Sequence, residues 1–196
     1  GGTTYACTLL EPEASIVDVM AALEAPLALY DVEFVLVAGP TDSVDWAAMQ
    51  AKAEELWNLH RPTYFKAETR LPYDGEDLND CTAYLMEEKQ DIAARFVQVC
   101  PQYGKITGSD GVTGRRNAAG LQAGRVMSIP VQRATGRVRD GNVSQLSLPD
   151  GWEAVQSTLE GDGFITAKKY AGLDGVYWGD SRTLAADTSD YRYEEV

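Results

Sequence analysis

The strongest strand signal in the sequence is Val32-Glu33-Phe34-Val35-Leu36-Val37-Ala38, a short run of apolar and β-branched residues. Gly39-Pro40 closes this run with two residues that strand interiors avoid. A strand with one face in water alternates apolar and polar residues, whereas a strand covered on both faces reads as a continuous apolar run. The sequence therefore predicts a strand buried on both faces.

Helical patterns flank this strand on both sides. In residues 15–30 apolar side chains recur every three or four positions, and Pro26 is expected to kink or end that helix. A second helix is predicted over residues 43–60, with Ser43 as its N-cap. A third is predicted over residues 77–90, where the apolar positions again share one face.

Two more strands follow these helices. They are predicted at residues 63–69, which begin just after a proline, and at residues 95–100, which end before one. Parallel neighbours in a sheet need crossover connections, and these are usually helical. The alternating order therefore predicts a mixed α/β fold with a mainly parallel sheet and helices on its faces, a three-layer sandwich.

The pattern changes after Cys100. Glycines spread through residues 104–116 predict a loop or hairpin, and residues 117–129 read as a helix of small residues. Residues 131–150 are interpreted as an exposed insertion or loop, with short edge strands as an alternative over residues 133–148. The remaining predicted elements are a helix at 151–159 and strands at 164–167 and 176–178.

The charge of the chain excludes two classes of partner. Its 30 acidic and 17 basic residues give a formal net charge of −13, which repels phosphate backbones and anionic lipid surfaces. No apolar run approaches the roughly 20 residues that cross a bilayer, and residues 1–10 lack the pattern of a secretory signal. We therefore expect neither nucleic acid nor membrane as a partner, and synthesis in the cytoplasm.

The cysteines and the one histidine do not form a recognisable site. Cys7, Cys81 and Cys100 are widely spaced, without a C-x-x-C pair, and are interpreted as reduced thiols. A zinc site needs more clustered ligands, and a cysteine nucleophile would have only His60 as its base. His60 is interpreted as a helix-end residue that serves the last carbonyl groups. We therefore expect no bound metal.

Glycine-rich segments are the next candidates for a ligand site. Residues 108–115 resemble a phosphate loop only superficially, because Gly114-Arg115 stands where that motif has Gly-Lys followed by Ser or Thr. Gly120 and Gly124 form a G-x-x-x-G, which in a polar helix indicates close packing more often than ligand binding. Neither segment is interpreted as a cofactor site.

Carboxylates and hydroxyls remain as candidate catalytic groups. Adjacent residues do not share a helix face, so Glu54-Glu55, Glu87-Glu88 and Glu194-Glu195 are interpreted as solvated charge. Ser109 and Ser128 lack the G-x-S-x-G context of a nucleophile elbow. The sequence therefore predicts no catalytic, cofactor-binding or metal-binding residues and no hydrolase activity.

The C-terminal part has an ordered set of short segments. Leu173-Asp174-Gly175-Val176-Tyr177-Trp178-Gly179-Asp180-Ser181-Arg182-Thr183-Leu184 precedes Ser189-Asp190-Tyr191-Arg192-Tyr193-Glu194-Glu195-Val196. Upstream lie Ala119-Gly120-Leu121-Gln122-Ala123-Gly124-Arg125 and Phe164-Ile165-Thr166. In this order the segments resemble the tail sheath proteins of contractile-tailed phages and related contractile injection systems. Asp180-Ser181 departs from the single small residue usual there, and residues 1–114 agree only in their alternating pattern.

The resemblance implies a structural subunit that polymerises around a tail tube and drives contraction. Its partners would be other sheath subunits, linked through terminal arms, and the tail tube protein; it would lie in the virion tail and need no cofactor. Residues 1–196 would form one sheath core domain, excised or trimmed, with residues 191–193 near an open sheet edge. The alternative is a hydrolase acting on a nucleotide or phosphate ester, because this fold class hosts many activities.

The matched segment also has a physical interpretation of its own. Tyr177 and Trp178 supply large apolar area, and the glycines on either side allow sharp turns. Arg182 is expected to pair with Asp180 or Asp187. For the hydrolase alternative, a deep pocket with converging titratable groups at the carboxyl ends of the strands would be expected.

Overall fold

The computed structural model describes residues 6–11, 14–130 and 133–186. Its centre is a parallel sheet of three strands in the order β1 (Phe34–Thr41), β2 (Tyr64–Thr69) and β3 (Val97–Cys100). The predicted mixed α/β fold with a parallel sheet is confirmed, and the three predicted strands share one sheet.

Helices connect and cover these strands. Their bounds are α1 (Ile16–Leu29), α2 (Ser43–Asn58), α3 (Leu78–Lys89), α4 (Ala119–Ser128) and α5 (Trp152–Gly161), with a short 3-10 turn at Val138–Asp140. In the described ranges, none of these helices is both long and apolar enough to cross a membrane.

One detail of the helix ends corrects the sequence analysis, and a second decides against one of the two effects predicted for Pro26. Asp42, not Ser43, is the N-cap of α2, because its carboxylate accepts the N–H groups of Val44 and Asp45. Pro26 does not end α1, which continues to Leu29. Pro26 lies in the last turn, where its missing N–H removes a single helical bond, and its carbonyl still accepts the N–H of Tyr30 at 2.9 Å.

The first face of the sheet packs against the larger apolar core. Phe65 and Ala67 of β2 point to this face, where Trp46 and Met49 of α2 cover them. Helices α3 and α5 add further buried side chains to the same cluster, among them Leu85 and Leu159. Burial of a large aliphatic or aromatic side chain is worth about 1.5–3 kcal/mol, so this face supplies much of the stability.

The second face is covered by α4 and by C-terminal segments, and it carries polar residues. Helix α4 packs on β1 and β2, and Ala118, Ile165 and Trp178 form a second apolar cluster there. Beside it, the buried ammonium of Lys66 donates to the side-chain oxygen of Gln98. The sheet therefore lies between two covering layers, as the three-layer prediction requires.

Two small antiparallel sheets complete the fold. One has the order β5 (Thr113–Asn117), β4 (Tyr103–Thr107) and β6 (Leu146–Ser147), and the other pairs β7 (Ala167–Lys168) with β8 (Tyr177–Trp178). Residues 104–116 thus form a hairpin, one of the two predicted alternatives. The strand predicted at 164–167 begins only at Ala167, because the N–H of Ile165 instead donates to Val99 of β3 at 2.9 Å.

The predicted insertion at residues 131–150 is described from residue 133 onward. Most of its residues are exposed, but Thr135, Val143 and Leu146 are buried. Leu146 pairs in β6, and Val143 belongs to the second apolar cluster. Val143 and Leu146 attach the second half of the segment to this cluster, and the Thr135 hydroxyl bonds to that of Ser181.

Strand β1 contains a bulge near its carboxyl end. Its register with β2 shifts between Val37 and Pro40, and Gly39 in the bulge has a φ of 122°. The N–H of Gly39 donates to the Glu68 carboxylate at 2.6 Å. Burial raises the pKa of Glu68, and the Gly39 hydrogen bond offsets part of this effect.

Replacing Trp178 tests the second core cluster. Trp178 is 2% exposed, so Trp178→Ala should lower the free energy of unfolding by about 3–5 kcal/mol, measured by urea denaturation. Within the described residues the indole N–H has no hydrogen-bond partner, so Trp178→Phe breaks no such bond, leaves a smaller cavity than alanine and should cost less than Trp178→Ala. A change within about 0.5 kcal/mol for the alanine variant would be typical of a surface residue and would contradict this assignment.

Candidate functional site

The candidate site is the segment Leu173–Leu184, which carries the family resemblance and is called the closing segment below. Its strand β8 pairs with β7, with Trp178 opposite Ala167 and Tyr177 opposite Lys168. The N–H of Gly179 extends this pairing by donating to the carbonyl of Thr166 at 2.8 Å. Tyr177 and Trp178 therefore lie on a short strand whose pairing with β7 fixes their register.

The carboxylate of Glu160, near the end of α5, connects the closing segment to the rest of the fold. It accepts two bonds from the Lys168 ammonium, at 2.9 and 3.0 Å, and one from the Gln156 side chain at 2.8 Å. A fourth bond comes from the backbone N–H of Asp180 at 3.0 Å. One carboxylate therefore ties α5, β7 and the closing segment together.

This network holds Glu160 in its ionised form. Burial alone would raise the pKa of Glu160, but the hydrogen bonds from Lys168, Gln156 and Asp180 outweigh burial and hold the pKa below its ordinary value. For Lys168, burial would lower the pKa, but the bonds to Glu160 raise it above its ordinary value. Glu160 and Lys168 are thus both charged at neutral pH. Charge-assisted hydrogen bonds between them join α5 to β7.

The position of the Glu160 carboxylate leaves no room for a side chain at Gly179. A Cβ at residue 179 would overlap the Glu160 side-chain oxygen and lie 3.2 Å from the carbonyl of Thr166. On the other side, the backbone of Gly136 approaches the Gly179 carbonyl so closely that a side chain at Gly136 would overlap it. Glycine in the Trp-Gly pair therefore permits a contact between chain segments, in addition to any turn.

Arg182 caps the end of α5. Its guanidinium donates to the carbonyls of Glu160 at 3.0 Å and Gly161 at 2.8 Å, which are among the last carbonyls of the helix. A cation there also interacts favourably with the helix dipole. The sequence predicts an ion pair of Arg182 with Asp180 or Asp187. The backbone N–H of Asp180 donates to Glu160, and Asp187 lies outside the described residues.

The last residues of the closing segment cover the outer edge of β3. The N–H of Leu184 donates to Val97 at 2.9 Å, and its carbonyl accepts the N–H of Ala94 at 2.7 Å. Leu184 itself is fully buried in the first core cluster. The closing segment is therefore a structural part of the core, anchored to α5, to β7 and to the edge of the main sheet.

The carboxyl end of the parallel sheet, where an enzyme of this fold class binds its ligand, is covered by the β4–β5 hairpin. The side-chain amide of Asn117 donates to the carbonyls of Thr69 and Cys100, at the ends of β2 and β3. Arg115 donates to the carbonyl of Pro72 in the following loop at 3.1 Å. The hairpin thus occupies the position of a ligand crevice.

One charged cluster lies beside this hairpin. Arg70 forms a bidentate ion pair with Glu76 at 2.6 and 2.7 Å, and its guanidinium stacks 4.2 Å from Tyr73 and 4.3 Å from Tyr84. The Arg70 hydrogen bonds hold the pKa of Glu76 below its ordinary value. Arg70 and Glu76 neutralise each other's charge. Their ion pair and the stacked tyrosines therefore indicate a structural role, in which they fix the loop between β2 and α3.

The open spaces on the molecule lie elsewhere. Two shallow neighbouring grooves of about 570 and 390 Å³ run along the helices and share Glu87; their other lining residues include Met86, Asp162, Val44 and Asp91. Among the described residues, no three His, Cys, Asp or Glu side chains are grouped as metal ligands would be. Neither groove is a deep pocket at the carboxyl ends of the strands, which is what the hydrolase alternative would need.

The thiols and the histidine are dispersed. Cys7 is exposed, whereas Cys81 and Cys100 are buried, and burial raises the pKa of Cys81 and that of Cys100, the latter to about 12. His60 is exposed and has a φ of 59°, and its backbone N–H donates to Trp57. His60 therefore ends α2 through its backbone conformation, as the left-handed residue after a helix.

The glycine pair of α4 differs from its interpretation. Side chains added at Gly120 and Gly124 would meet no atom within 4 Å, so the G-x-x-x-G does not pack closely against a neighbour. The packed face of α4 is instead Ala119, Gln122 and Ala123. The helical spacing of small residues alone could not distinguish these two faces.

The contacts at this site that sequence reasoning missed are the hydrogen bonds of Glu160 and Lys168. The two residues lie eight positions apart across a turn, and Asp180 follows twelve residues later. No local periodicity or motif joins them, so no signal in a single sequence could have identified the network.

Comparison with known proteins identifies the family of the chain. The family description DUF2586, N-terminal domain, matches residues 2–182, which include nearly all of the closing segment. The chain belongs to the DUF2586 family. No curated protein matches the chain significantly. The DUF2586 description carries no function, so the function rests on the residues themselves.

Gly179→Ala tests the contact with Glu160. The added methyl group should displace the carboxylate from its four hydrogen bonds and lower the free energy of unfolding by about 1–3 kcal/mol. The control is Gly124→Ala in α4, where nothing obstructs a side chain and the change should raise stability by up to about 1 kcal/mol. Equal effects of the two variants in thermal denaturation would argue against a close contact at residue 179.

Acid unfolding tests the charge on Glu160. Because its folded pKa lies below the ordinary value of 4.5, the stability from its ionised form is complete above about pH 5.5 and is lost as pH falls through the folded pKa. Glu160→Gln should therefore be less stable than the wild type at pH 7, and the difference should shrink below pH 4.5. A difference that stays constant from neutral pH down through this range, measured by urea denaturation, would exclude this role.

Proposed function

We propose that this DUF2586 protein is a structural subunit of a contractile tail sheath that polymerises around a tail tube in the virion. The observation that carries the proposal is the closing segment, whose order of Gly, Tyr-Trp-Gly and Arg-Thr resembles that of sheath proteins. Its partners in this proposal are other copies of the chain and the tube protein.

The internal contacts of the closing segment support a mechanical role. Asp180 and Arg182 bind this segment to the end of α5, Tyr177 and Trp178 pair with β7, and Trp178 packs in a core cluster. A subunit that transmits force between neighbours needs a body whose elements move together. The charged and apolar contacts around Glu160 give the C-terminal end of the domain that property.

The edges of the sheets also support assembly. Within the described residues β1 pairs only with β2, and β5 pairs only with β4, so each strand is an edge. Edge strands offer backbone N–H and C=O groups that another chain can pair with. A lattice subunit can use such edges for contacts that tolerate changes of side chain.

The carboxyl end of the sheet favours assembly over the hydrolase alternative. Asn117 and Arg115 attach the β4–β5 hairpin across the position where ligands bind in α/β enzymes. The charged Arg70–Glu76 cluster beside it is internally neutralised. A nucleotide or phosphate ester would have to displace the hairpin to reach this end of the strands.

Assembly of the full-length gene product tests the proposal. The purified protein, mixed with a candidate tail tube protein, should form tubes or rings visible by negative-stain electron microscopy, with a concentration-dependent rise in light scattering. The protein alone and the tube protein alone are the controls. A chain that stays monomeric at high concentration in the presence of tubes would contradict the proposal, and turnover of a phosphate ester that is lost on changing His60 would favour the hydrolase.

A further inference from the structure

The β4–β5 hairpin is a basic projection on an acidic protein. It carries Lys105, Arg115 and Arg116 against one acid, Asp110, although the chain as a whole has a net charge of −13. Lys105 and Arg115 lie directly opposite each other in the ladder, and like charges in this position cost stability. Lys105 and Arg116 are exposed and form no ion pair with any described residue.

The tip of the hairpin adds an apolar group to these cations. Val112 is 55% exposed, and its position is fixed because its N–H donates to Asp110 and its carbonyl accepts the N–H of Gly108. An apolar side chain held outward near cations is suited to a surface that is both apolar and acidic.

The same molecule has such a surface between α2, α3 and the end of α5. The two neighbouring grooves that share Glu87 continue across the C-terminal turn of α3. The acidic lining residues are Glu87, Glu88, Asp91 and Asp162. Met86 and Val44 add exposed apolar surface, while the cation Lys89 donates to the carbonyl of Ile92.

The hairpin and the groove are separate surfaces of the molecule. Tyr103 of the hairpin is buried in the first core cluster and Ile106 in the second, so the hairpin packs at the end of the main sheet and not on one face alone. None of the described residues of the hairpin lines either groove, so a contact between the two surfaces joins different copies of the chain.

We propose that the basic hairpin of one copy docks into the acidic groove of the next copy. Charge complementarity selects this occupant, because Lys105 and Arg116 pair with no acid among the described residues and the groove carries four acids beside exposed apolar side chains. Such a head-to-tail contact uses two different surfaces, so it repeats from copy to copy and generates a ring or an open helix. The inference deepens the proposed function, and its repetition in a lattice rests on that function.

Charge reversal on the full-length protein tests the contact. Lys105→Glu with Arg116→Glu reverses the hairpin, and Glu87→Lys with Asp91→Lys reverses the groove. Each pair should weaken self-association by about tenfold or more in sedimentation velocity at low salt, and raised salt should weaken the wild type similarly. The chain carrying all four changes should return to within about threefold of the wild type, because the charges are again complementary.

Matched controls place equal changes of charge elsewhere. Arg139→Glu with Lys169→Glu, and Asp31→Lys with Glu153→Lys, alter exposed residues outside both surfaces and should leave hairpin–groove docking intact. Circular dichroism should show every variant folded.

The outcomes separate the contact from the sheath proposal. If tubes form and the reversed variants associate as strongly as the wild type, the contact is overturned and the sheath proposal stands. Rescue by the four changes without any tubes would support the contact and contradict the sheath. Absence of self-association in all variants would overturn the contact.

Discussion

The fold depends on burying both faces of a parallel sheet that has only three strands. Such a sheet is about 10 Å wide, so a single helical layer on each face can cover it. The first face uses α2, α3 and α5 around Phe65, and the second uses α4 and the C-terminal segments. The polar Lys66 and Gln98 can lie on the second face because they bond to each other and Gln98 bonds to the backbone of Ser181.

The need to cover the main sheet also explains how the C-terminal half of the chain packs against β3. Without the bonds from Ile165 and Leu184, the carbonyls of Val99 and Val97 on the outer edge of β3 would lose their partners. The closing segment therefore completes the sheet, and Glu160 holds that segment in place from the end of α5. The closing segment is thus part of the packed body, and hydrogen bonds join its last residues directly to the edge of the main sheet.

Local patterns predicted the repeating elements well. The apolar run at β1 and the helical spacing around Trp46 and Leu85 depend on burial of neighbouring residues, which a single sequence records. Pro26 and residues 164–167 were harder. Pro26 lies in the last turn of α1, where it removes only one helical bond, and a tertiary contact with β3 decided the partner of Ile165. The Glu160 network was beyond sequence reasoning, since its bonds join residues that no periodicity relates.

The bulge in β1 has a consequence for how copies of the chain behave when they are crowded together. A regular open edge of eight residues would pair indiscriminately with any extended chain, and bulges are one of the devices by which proteins prevent such aggregation. The shift at Gly39 limits the regular part of the edge to Phe34–Val37, and the Glu68 carboxylate already occupies the Gly39 N–H beyond it. A short, interrupted edge therefore offers little unpaired backbone to extended segments of other molecules, which limits aggregation.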